Sequence, residues 1–92
     1  MQVKEAVGVA KSYVADLFSD EHVMNIGLEE VEFDESAGVW NITVGFSRPW
    51  DDENPITKQF RFGAQMKRDY KIVRISDDGN RVLSVKSRLI QE

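Results

Sequence analysis

Histidine occurs once, at position 22. General acid–base or nucleophilic chemistry needs such a group oriented by a partner. His22 ends the run Ser19-Asp20-Glu21-His22, just past an apolar helical segment. A cationic histidine is favoured by the dipole at a helix C-terminus, so it reads as exposed or capping. Oxygen clusters come next. Asp51-Asp52-Glu53-Asn54 crowds four oxygen side chains together, and Asp77-Asp78-Gly79-Asn80 resembles it. A calcium loop of the EF-hand kind needs alternating ligands, a central glycine and a distant glutamate. The first run has none of these, and a hairpin turn explains the second. Glu30, Glu32 and Asp34 alternate along a strand and form a carboxylate ladder. Lys or Arg across the sheet is their simplest complement. The six glycines are scattered singly, so no phosphate loop is present, and cysteine is absent. The expectation is a non-enzyme with no catalytic residue, no metal and no cofactor.

Two patterns point to binding instead. Ser47-Arg48-Pro49-Trp50 sets an arginine and a tryptophan around a proline. Arg and Trp are common anchors of protein contacts. Arg48, Pro49 and Trp50 are therefore the candidate partner-binding loop; the alternative is that Trp50 folds back over the end of the core. The second pattern is a basic sheet face of Lys67, Lys71, Arg74, Lys86 and Arg88, with Phe60, Phe62 and Tyr70 nearby. Single-strand nucleic-acid binders use such surfaces. Against that reading, the net charge is -4 and no RNP-type motif is present. Nucleic acid is disfavoured as a partner.

The charge is divided along the chain. Residues 1–55 carry twelve acids and three bases, a net of -9. Residues 56–92 carry nine bases and four acids, a net of +5. Either acidic and basic strands neutralise each other across a sheet, or two differently charged surfaces face outward.

The elements that must position these residues follow from periodicity. Val3, Val7, Ala10, Val14 and Leu17 recur at helical spacing, widened by Ala6, Tyr13 and Phe18. They predict an amphipathic helix over 2–19. Gly8 in its middle costs about 1 kcal/mol and is expected where the sheet approaches closely. Leu28 to Glu35 alternates as a strand, with Leu28 out of phase, which asks for a later start or a bulge. Trp40, Ile42, Val44 and Phe46 define a strand over 39–47. Two prolines and an acid run bar regular structure over 48–55. Residues 56–62 alternate weakly. Strands are expected over 66–76 and 82–90, joined by the Asp77–Asn80 turn. In the last strand Leu83, Val85 and Leu89 are expected to face inward.

The whole chain, 1–92, reads as one α+β domain: an N-terminal helix packed on one face of a four-stranded antiparallel meander. The run from Gly27 through Gly38 to Val44 resembles the first hairpin of bacterial PepSY-type domains. Ile75 to Leu83 is similar to their closing hairpin, although Ser76-Asp77-Asp78-Gly79 replaces the family's usual Asp-Ala-x-Thr-Gly. The layout is also similar to cystatin-like small domains and to a gas-vesicle accessory group. PepSY kinship implies a role in restraining proteases, and no catalytic residue carries over from any of these families.

The functional expectation is a protein-interaction or regulatory module, with another protein, or a second copy in a homodimer, as partner. The alternative is a small-ligand pocket between helix and sheet, lined by Gly8, Met24, Trp40 and Phe46. No run approaches the roughly 18 apolar residues of a membrane span, and no secretory segment follows Met1. A cytoplasmic location with no membrane partner is expected.

Overall fold

The computed structural model describes residues 1–49, 68–78 and 81–88. Helix α1 (Val3–Leu17) leads into a short 3-10 turn (Ser19–Glu21). Four strands follow: β1 (Met24–Asp34), β2 (Val39–Ser47), β3 (Asp69–Ser76) and β4 (Val82–Ser87). They form one sheet in the order β1-β2-β3-β4, each pair antiparallel. The helix covers one face of that sheet, so the fold is α+β as the periodicity predicts. No helix among the described residues is long and apolar enough to cross a membrane.

The core is small and lies where α1 crosses the sheet. Ala6, Ala10 and Val14 meet Ile42, Val44, Phe46, Val73 and Ile75, all fully buried. Alanines at the contact let the helix sit close to the strands. The apolar stripe is turned relative to the sequence expectation. Val3, Tyr13 and Leu17 are exposed, because the contact is centred on residues 6, 10 and 14. Gly8 departs further: nothing lies within 4 Å of where its side chain would begin. It faces outward, and the sheet does not approach it.

Strand β1 starts earlier than alternation indicated. Asn25 takes a left-handed conformation (φ 57°), which asparagine tolerates better than most residues. The chain thereby continues as strand through Asn25-Ile26-Gly27. Register shifts between Met24 and Gly27, and between Leu28 and Glu30, mark two bulges. The second accounts for the phase of Leu28. It pairs Leu28 with Val44 on the helix side and leaves Glu29 as the extra residue.

A third irregularity in β4 corrects another expectation. Ile75 pairs with Val82 and Arg74 with Ser84, so Leu83 is the extra residue and is exposed. Val82 takes the inward place expected of Leu83. Residues 56–62, 66–67 and 89–90, on which further strand expectations fell, lie outside the described residues.

The β1–β2 turn is built by one carboxylate. Asp34 accepts hydrogen bonds from the Ser36 hydroxyl (2.8 Å), the Ser36 N–H (3.1 Å) and the Ala37 N–H (3.2 Å). Gly38 closes the turn at φ 66°, a conformation that strains any side chain. The Ser36 hydroxyl, then the Ala37 N–H, hold the Asp34 pKa below its ordinary value, with help from the Arg74 charge. A depressed folded-state pKa stabilises the fold fully above the unfolded value. That contribution is lost as pH falls through the folded value. Asp34→Asn is therefore expected to flatten the acid limb of the stability profile below about pH 4. Thermal melts across that range would read it, and an unchanged acid limb would remove Asp34 as a contributor.

Candidate functional site

Two regions gather the charged side chains that the sequence singled out. The first lies at the end of the sheet where β2 finishes and β3 begins. β2 and β3 pair directly, Phe46 beside Asp69, although residues 48–68 separate them in sequence. That register puts Arg48, one residue past β2, next to the start of β3. Its guanidinium pairs with Asp69 and with Glu21 from the 3-10 turn. It also lies over two aromatic rings, 4.9 Å from the Phe46 centroid and 5.7 Å from that of Phe18. The two rings are 5.4 Å apart. The Arg48 side chain is only 12% exposed. It therefore joins the helix end, β2 and β3. Pro49 is half-buried, and Trp50 lies outside the described residues.

The other side of residues 48–68 is anchored as well. Arg68 donates to the Asn25 carbonyl at 2.9 Å and approaches Glu29 at 3.6 Å. The second bulge of β1 makes this possible by turning Glu29 onto the face away from the helix. Gly45 lies beneath. A Cβ there would sit 2.9 Å from the Arg68 guanidinium and 3.1 Å from the Glu29 side chain. Glycine at 45 is what lets the pair lie flat across β2. Beside it, Asn25 Nδ2 donates to the buried Ser47 hydroxyl at 3.0 Å.

The second region is this face of the sheet, opposite α1. Strand alternation places Arg74 of β3, Lys86 of β4 and Arg88 on it. Lys71 belongs to the other face. It pairs with Val44, its ammonium lies 5.4 Å from the Phe18 ring, and it donates to Ser87 at 2.7 Å. Lys67 lies outside the described residues. Of the five bases expected on one face, the structure thus brings three together.

Glu30, Glu32 and Asp34 line the same face on β1, at the opposite edge. Their immediate neighbours on β2 are Thr43, Asn41 and Val39, none of them charged. Neutralisation comes instead from long side chains that lie across the strands. Arg88 reaches Glu30 at 3.1 Å, and Arg68 reaches Glu29. Thr43 is 2% exposed at the centre of this face. Residual charge stays at the edges: Glu32 on β1 and Lys86 on β4 are both exposed.

The remaining candidates take ordinary roles. His22 is exposed, in a left-handed conformation that closes the 3-10 turn. Trp40 packs on Phe33, ring centroids 4.8 Å apart, and its indole N–H donates to Asp77 at 3.0 Å. Asp78 accepts from the Ser76 hydroxyl at 2.6 Å. Asp51 to Asn54 lie outside the described residues. Among the described residues no cluster of three or more His, Cys, Asp or Glu could hold a metal. An open concavity of about 590 Å³ lies on the outer flank of α1, lined by Glu5, Gly8, Val9, Ser12, Tyr13 and Asp16. Of the four residues expected around a ligand pocket, only Gly8 borders it. Phe46 is buried in the core.

Sequence reasoning did not find Glu21, Asp69 and Phe18 as the partners of Arg48. The signal is the β2–β3 register, which local patterns cannot supply across so long a separation. Arg68 and Glu29 were missed because a bulge reverses the face of Glu29. No protein-family model, curated protein or solved structure matches this chain.

Proposed function

We propose that the domain is a non-enzymatic protein-interaction module, recognising its partner through the stretch that begins Pro49-Trp50. The observation that carries this reading is the pair of anchors on either side of that stretch. Arg48 is held by Glu21 and Asp69, and Arg68 by Glu29 and the Asn25 carbonyl. Fixed ends reduce the ordering entropy that a recognition segment loses on binding. The helix-then-four-strand order is in keeping with the PepSY-like kinship, which stands beside this reading as a proposal of its own.

The test is affinity capture from the native host with wild-type protein and with Trp50→Ala. Arg48 variants are unsuitable, because Arg48 also holds the fold. The expected result is a partner retained by wild type and lost from the variant. Identical partner lists would remove Trp50 from the role.

A further inference from the structure

The two edges of the sheet are complementary to each other and each is repelled by its own kind. Among the described residues β1 and β4 are the edge strands. On the face away from α1, β1 carries Glu30, Glu32 and Asp34, while Lys86 and Arg88 lie at the β4 edge. On the helix side, β1 exposes Leu28 (42%) and Phe33 (37%). The half-buried Val82 and Val85 of β4 occupy that same side.

Alternating directions make β4 antiparallel to β1. A second copy laid beside the first, in the same orientation, therefore sets its β1 antiparallel to the first copy's β4. Carboxylates then meet bases on one face, and apolar side chains meet on the other. Such cross-strand pairs stabilise a sheet, whereas like charges directly opposite destabilise it. Glu30 and Arg88 already pair within each molecule, so Glu32 and Lys86 are the exposed edge charges that decide the pairing. Pairing β1 with β1 would bring Glu32 against its copy, and pairing β4 with β4 would do the same to Lys86. Both edges keep a short regular stretch for pairing: Glu30–Asp34 on β1 and Ser84–Ser87 on β4, clear of the bulges.

We infer that this chain associates head to tail with copies of itself, β4 of one molecule adding to β1 of the next. The reading uses neither Trp50 nor its neighbours, so it stands or falls apart from the function proposed above. The paired area is small, so association is weak and concentration-dependent. A heterologous contact of this kind leaves a free edge at each end.

Sedimentation equilibrium of the full chain tests it. At an ionic strength of about 0.01 M the average mass is expected to rise with concentration above the 10.5 kDa of one chain. At about 1 M salt it is expected to return toward the monomer. Glu32→Lys and Lys86→Glu are exposed charge reversals, each expected to weaken self-association roughly tenfold. Mixed together, they are complementary at both kinds of contact: Lys86 of the Glu32→Lys variant faces Glu32 of the Lys86→Glu variant, and at the other contact the two reversed charges face each other. The mixture is expected to regain association in alternating order, at concentrations where each variant alone stays largely monomeric. Circular dichroism confirms that each variant is folded. A wild type that stays monomeric at every concentration and salt would overturn the inference. So would an oligomer that neither reversal weakens, or a mixture no larger than its separate components. The salt series on wild type decides the matter even if a variant fails to fold.

Discussion

Phe46→Ala is expected to lower the free energy of unfolding by about 3–5 kcal/mol. A domain of this size has about 5–14 kcal/mol in total, so the variant keeps only part of its stability. The reasoning starts from position. Phe46 is the largest of the fully buried side chains and lies on the helix-covered face of β2. Its ring packs against Phe18 and under the Arg48 guanidinium. Truncation loses the transfer energy of the ring and leaves a cavity. The cavity cannot easily collapse, because it is bounded by a paired strand and by Arg48 with its ion pairs. Phe46→Leu fills most of the space and is expected to cost about 1–1.5 kcal/mol. Urea unfolding followed by far-ultraviolet circular dichroism gives both values. A cost for alanine below about 1.5 kcal/mol would mean that the ring is not enclosed as described.

Arg48→Met is expected to cost about 2–3 kcal/mol. Removing one partner of a fully buried ion pair costs about 3–5 kcal/mol, because the other charge is stranded. Here Glu21 and Asp69 are 33% and 39% exposed, so water compensates them in part. The planar guanidinium also stacks over two rings, which an ammonium does less well. Arg48→Lys is therefore expected to recover the charge but only about half of the loss. Phe46→Leu and Arg48→Met share a contact, so their effects should not add. A double-mutant cycle measures the coupling, and strict additivity would show that the ring and the guanidinium do not support each other.

These two residues differ in how visible they were. Phe46 belongs to the alternating run from Trp40, and period-two patterning alone places it in the core. Arg48 carried a signal of a different kind, an arginine beside Pro49 and Trp50. Its partners come from a turn 27 residues earlier and a strand 21 residues later, brought together only by tertiary pairing. The helix was legible in existence and length. Its contact line was not, because Ala6 and Ala10 are weakly hydrophobic and contribute by being small. Val3, Tyr13 and Leu17 are larger and lie exposed. Leu28 signalled a bulge through its phase, whereas Leu83 gave no such warning, since Val82 and Leu83 are equally apolar. The division of charge was plain in the sequence. That Arg68 and Arg88 would cross intervening strands to reach Glu29 and Glu30 depended on strand order and on Gly45.

The direct pairing of β2 with β3 has a consequence for how the chain finds its fold. The β1–β2 contact closes a ring of only four residues, Glu35 to Gly38. The β2–β3 contact must bring together chain ends separated by residues 48–68. In an unfolded chain the longer closure costs about 1.5 kcal/mol more entropy than the shorter one. The Arg48 and Arg68 contacts stand at the mouth of that ring, where their attraction offsets this difference directly.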